Sequence, residues 1–148
     1  MKKMAIIAVL LSSVIVAAVA APALAAAKHV HAFAPYSKGM ETKDDKGPAG
    51  PSIGDEHSGF FKMYNHGKGV GHFDYSCVTT HVAPGREECH ATAHFKGRGR
   101  IVVEGNTNSG AQKSRVAITG GTGEFNGAGG SLVLNFRRHG AHLRFNLK

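Results

Sequence analysis

Ala117-Ile118-Thr119-Gly120-Gly121-Thr122-Gly123-Glu124-Phe125-Asn126-Gly127-Ala128-Gly129-Gly130 is the stretch on which the reading of the chain turns. Six of these fourteen residues are glycine, the residue used where φ must be positive or where two backbones approach too closely for a Cβ. Val116-Ala117-Ile118 precedes the glycines and Leu132-Val133-Leu134 follows them, so the run reads as a bulged corner between two strands. Gly120, Gly121, Gly123 and Gly127 are then structural glycines. A phosphate-binding loop is the competing reading. Gly121-Thr122-Gly123 lacks the lysine of a P-loop and the spacing of a dinucleotide fingerprint, and no helical pattern follows it.

Outward from this corner, period-two alternation recurs and no 3.6-residue apolar period is sustained, which predicts an essentially all-β domain. Strands are expected over 28–37, 60–64, 70–80, 89–95, 100–104, 114–119, 131–137 and 141–147, with 38–52 a polar loop rich in Gly, Lys, Asp and Pro. Seven or eight short strands joined by hairpin-length links fit a sandwich or a closed antiparallel barrel. The last strand favours closure. Leu143, Phe145 and Leu147 alternate with polar residues up to the C-terminus, and an apolar face at a chain end is best buried by pairing on both sides.

Met1-Lys2-Lys3, the apolar run from Ala5 to Ala20 and the triplet Ala23-Leu24-Ala25 have the three parts of a secretory signal peptide, here residues 1–25. A retained membrane anchor is the alternative, and the cleavage-type triplet argues for removal. The exported chain is then a single domain over 28–148, with no stable membrane anchor. Without Lys2 and Lys3 it carries 16 basic and 10 acidic side chains, a formal +6. The charges are scattered without aromatic interleaving, so no nucleic-acid partner is expected. A secreted location, extracellular or periplasmic, makes the Cys77–Cys89 pair a disulfide clamping a hairpin. Metal is the competing use, but Cys77, Cys89, His90 and His94 do not follow the paired-ligand spacing of structural zinc modules. Neither a metal nor a cofactor is expected.

Parity sorts this hairpin. Phe73, Tyr75 and Cys77 share a face with Cys89, Ala91, Ala93 and Phe95, and the opposite face carries His72, Asp74, Ser76, His90, Thr92 and His94. An imidazole beside a carboxylate suits acid-base work near neutral pH. The plainer reading of His72, Asp74, His90 and His94 is a solvated outer face.

Gly54-Asp55, Phe60, Tyr64, Val70-Gly71, Cys77, Ala91-Thr92, Phe95, Gly99, Val103, Gly105 and the Ala117-to-Ala128 segment together resemble the allene oxide cyclase and dirigent-protein superfamily over roughly residues 53–136. The resemblance implies an eight-stranded antiparallel β-barrel of calycin type with a hydrophobic cavity, commonly a homotrimer, whose members steer a reactive small molecule by confinement. Cys77 falls on the cavity cysteine of the cyclases. Phe61 stands where they carry an asparagine, and Ser114 stands where dirigent proteins carry an arginine. The Cys77–Cys89 pairing differs from the dirigent disulfide, which ties the start of the chain to its end. Tyr64, Phe73, Tyr75, Cys77 and Phe95 are the candidate cavity residues; no catalytic residue is assigned.

Three functions follow from these readings. The first is a secreted barrel that binds a small hydrophobic molecule and guides an isomerisation, cyclisation or coupling. The second is a non-catalytic secreted barrel with a side-chain-filled interior. The third is a binder of anionic polymers or surfaces through its basic charge. Empty volume inside the barrel separates the first two.

Overall fold

In the computed structural model, which describes residues 28–148, the alternating segments form nine strands: β1 (Lys28–Pro35), β2 (Gly39–Asp44), β3 (Glu56–Asn65), β4 (Lys68–His81), β5 (Arg86–Phe95), β6 (Gly99–Asn108), β7 (Lys113–Gly123), β8 (Gly130–Arg137) and β9 (Gly140–Leu147). The leader expected at residues 1–25 lies outside the described residues. Among the described residues no helix is long and apolar enough to cross a membrane.

All neighbouring strands pair antiparallel in the order β1-β9-β8-β7-β6-β5-β4-β3-β2, and β1 also meets β3 where Phe33 lies opposite Tyr64. That last pairing closes an eight-stranded barrel. β2 is the extra strand: after one 3-10 turn (Tyr36–Lys38) it continues along β3 beyond the end of β1. The C-terminal strand is paired on both sides, by β8 and by β1, as its apolar alternation requires.

Two expectations need correction. The segment 38–52 is not all loop, because Gly39–Asp44 pairs with Glu56–Phe61. Every residue of β2 after Gly39 is exposed, so no apolar alternation marks it. Backbone pairing and a 2.9 Å hydrogen bond between the Thr42 and Ser58 hydroxyls hold it instead. β3 correspondingly begins at Glu56 rather than Phe60.

The inward-facing residues divide the barrel into two unlike halves. One end is filled by Met63, Phe95, Ile101, Phe125 and Phe145, all buried. The Phe95 ring centroid stands 5.2 Å from that of Phe125 and 5.5 Å from that of Phe145. Phe125 reaches this position from the glycine stretch. Val102 pairs with Gly120 and Val103 with Ile118, which leaves Thr119 as the extra residue of a bulge. The chain then turns inward through Gly123 at φ 65, a torsion that L side chains rarely adopt. Gly121 is extended, but a Cβ there would strike the backbone oxygens of Phe125 and Arg100. Gly127 sits at φ 71 in the following turn, whereas a Cβ on Gly120 would meet nothing within 4 Å. Arg98 seals this end: its Nε donates to Glu124 Oε2 at 2.8 Å and its guanidinium lies 5.1 Å from the Phe125 centroid.

Candidate functional site

At the other end of the barrel much of the inward surface comes from Ala34, Ala91, Val103, Val116, Leu134 and Ala141, small or branched residues. Side chains of this size do not meet across the axis, and a cavity of about 340 Å³ remains. A volume near the lower end of the small-molecule range suits a compact ligand. The side-chain-filled interior expected as the alternative therefore holds for only one half of the barrel.

One wall of the cavity is aromatic. The Phe61 and Tyr75 rings stack with centroids 6.1 Å apart, and Phe73 lies 6.4 Å from Tyr75. Tyr75 faces Gly59 across the β3–β4 ladder, and a Cβ on Gly59 would strike the phenol ring. The glycine therefore leaves the ring free to lie over β3. Cys77 and Cys89 stand directly opposite each other on β4 and β5 and form a disulfide in the cavity wall.

Polar groups gather at the mouth. The Tyr75 hydroxyl donates to Glu41 Oε2 at 2.8 Å. Burial first, and then this carboxylate, push the Tyr75 pKa well above the ordinary phenol value, so the hydroxyl is a proton-bearing donor at neutral pH. Tyr36 is raised for the same two reasons, burial leading. His57 Nε2 lies 3.9 Å from Glu87 Oε2, and the His57 ring meets Tyr75 edge-on at 5.7 Å. Glu87 also accepts hydrogen bonds from the Ser109 hydroxyl at 2.5 Å and the Thr107 hydroxyl at 3.4 Å. Carboxylate, imidazole and phenol thus converge on one apolar chamber. Such a rim can orient a ligand's polar end and exchange a proton with it.

No protein-family model matches this sequence, nor does any curated protein sequence. Solved structures do match. A pyocyanin demethylase superimposes with a TM-score of 0.74 at 24% identity, covering 82% of this chain and 100% of that one. The pterocarpan synthase dirigent protein GePTS1 gives 0.63 at 16% identity, over 82% of this chain and 83% of its own. The Diels-Alderase AbmU from Streptomyces koyangensis gives 0.62 at 12% identity, over 85% and 72%. The fold is the dirigent and allene oxide cyclase barrel.

Within this dirigent-type barrel, Phe73, Tyr75 and Cys77 line the cavity together, whereas Tyr64 and Phe95 do not. Tyr64 follows Met63, which is wholly buried inside, and strand alternation turns the next residue outward. Phe95 does point inward, but at the filled end against Phe125 and Phe145. Sequence reading missed Glu41, His57, Glu87 and Thr107. Glu87 shares the parity of Cys89 and Ala91, so its inward direction was available from alternation; Glu41 was hidden in a segment read as loop.

The outer face of β4 and β5 carries the expected polar set. His72, Asp74 and His94 come together there, while His90 is drawn to Glu104, with Nδ1 3.5 Å from Oε1. The His94 pKa is lowered, first by burial and then by the neighbouring His72 and Arg100, against the opposing pull of Asp74. At the cavity mouth, His57 and Glu87 also lie near Cys77 Sγ. That sulfur is bonded to Cys89 and is no thiolate ligand.

Proposed function

We propose that this protein is an exported barrel that binds a compact, largely apolar molecule in its open half, polar end at the mouth, and guides a reaction of that molecule by confinement. The observation that carries the reading is the half-empty interior: a chamber with an aromatic wall and a rim of Tyr75, Glu41, His57 and Glu87. A filled barrel leaves no space for a ligand, and a uniformly apolar one does nothing to orient it.

Holding a flexible molecule in its reactive conformer contributes up to about 7–11 kcal/mol in favourable cases. Bound at the rim, a ligand hydroxyl donates to the Tyr75 oxygen, whose own proton is held by Glu41, and the His57–Glu87 pair takes or returns a proton. The neighbouring folds support this reading, since a dirigent protein, a Diels-Alderase and a demethylase all use such a barrel. Export is supported by the leader-like start of the sequence and by the disulfide.

The test is displacement-free binding of a neutral fluorescent probe, N-phenyl-1-naphthylamine, to the wild type and to Ala91→Trp, which fills the chamber from β5. Saturable enhancement in the wild type, lost in a variant that still melts cooperatively, is expected. Equal enhancement in both proteins would place the probe outside the barrel and overturn the reading. Should Ala91→Trp not fold, Leu134→Phe fills the chamber from the opposite wall and serves in its place.

A further inference from the structure

On the outside of the barrel, across the β4–β5 sheet from the cavity, two histidines and one aspartate converge. His72 and His94 face each other directly across β4 and β5, and Asp74 lies one same-face position along β4 from His72. His94 Nε2 stands 3.2 Å from Asp74 Oδ2, His72 Nε2 stands 3.6 Å from the same oxygen, and all three ligand atoms lie within 4.8 Å of one another.

These spacings, which also fit ion pairs, match those around a shared metal ion. Ligand atoms bound to zinc at about 2.0–2.2 Å in a tetrahedron stand roughly 3.3–3.6 Å apart, close to the 3.2 and 3.6 Å already present along two edges. The third edge, between the two imidazoles, needs only a small rotation from the present stack, whose ring centroids lie 4.3 Å apart. Two rigid strands fix all three Cα positions, so little ordering is left to the ion. We infer that His72, Asp74 and His94 form a binding site for a divalent transition cation of the zinc type, with a fourth position open to water or an anion.

The surroundings shape the affinity. Phe60 covers one side, its ring centroid 5.1 Å from that of His72. Lys62 and Arg100, the residues paired with His72 and His94 on the flanking strands, line the same shallow depression together with Lys96. Their charges oppose a cation and favour an anionic fourth ligand. Binding is therefore weaker than the ligand set alone would give, and removing a flanking lysine strengthens it.

The experiment is calorimetric titration of the metal-stripped protein with Zn²⁺, repeated with Co²⁺ for its visible spectrum. One equivalent is expected, with the intense absorption of a four-coordinate Co²⁺ ion. His72→Ala, Asp74→Asn and His94→Ala should each weaken Zn²⁺ by at least about tenfold, the lower end of what losing even a supporting group costs a metal site. Lys62→Ala should tighten it, and His31→Ala, on another part of the outer surface, should leave it unchanged. All five positions lie on the outer face, and melting curves in chelator check that the variants fold. One-equivalent binding that survives in His72→Ala and His94→Ala would overturn the site, as would an absence of saturable binding in the wild type. Neither outcome bears on the cavity, which the probe measurement tests separately.

Discussion

The two ends of the barrel are built from the same alternating strands, yet one is solid and the other hollow. At the solid end, Phe125 drops into the barrel from a turn whose backbone passes within touching distance of β6, an approach that Gly121 and Gly123 make possible. At the hollow end small residues such as Ala34, Ala91 and Ala141 face an aromatic wall, no ring fills the axis as Phe125 does, and polar groups from β2, β3, β5 and β6 ring the opening. Packing density is thus set locally by one plug residue and by side-chain size, while barrel closure is common to both ends. Close packing is concentrated in the first region and open space in the second.

The sharpest way to break this contrast is to remove an aromatic ring from each end. Phe125→Ala should cost about 3–5 kcal/mol, the usual penalty for emptying a close-packed site, and Phe136→Ala, at the half-buried mouth, less than half of that. Urea unfolding of both variants decides; equal losses would mean that the two ends are packed alike. The disulfide lies in the wall of the hollow half. Its closed loop is worth roughly 3 kcal/mol in the chain-entropy model, so Cys89→Ser should lower the melting temperature by several degrees and leave the fold intact.

Within the glycine stretch a finer contrast is expected. Gly121→Val should cost more than about 1 kcal/mol because its Cβ meets backbone that cannot retreat. Gly120→Val, one residue away and facing open space, should cost clearly less. Thermal melts of the two variants test whether close approach, rather than glycine content, sets the corner.

The smallest effect concerns Tyr75. Its pKa is raised in the folded protein by burial and by Glu41, so the folded state holds this proton more tightly than the unfolded chain. That contribution is complete below the ordinary phenol pKa of about 10 and is lost as the pH rises beyond it. Stability measured from pH 9 to 11 should fall less steeply in Tyr75→Phe than in the wild type. Identical slopes would place Tyr75 in open solvent.

How much of this was legible follows the same division. Alternation in β9 pointed to closure, parity in β4 and β5 placed Tyr75, Cys77 and Cys89 on one face, and the glycine run marked the corner. Those signals are local, each carried by residues on one strand or turn. The rim was less legible because Glu41 and Glu87 come from strands far apart in the chain and meet only through the register of β2, β3, β4 and β5. Alternation also says which face a residue takes but not which end of the barrel it occupies. Phe95 was accordingly read into the cavity when it belongs to the plug. The His72–Asp74–His94 cluster was visible as three polar residues on one face, and only the cross-strand register separates it from His90.

Diffraction from crystals under xenon pressure tests the contrast between the two ends most directly, because xenon enters apolar voids without needing polar partners. Xenon density is expected between Ala91, Val103, Leu134 and Leu143 in the hollow half, and none around Phe95, Phe125 and Phe145. An interior without xenon, or one with xenon at the Phe125 end, would contradict a barrel divided into a plug and a binding chamber.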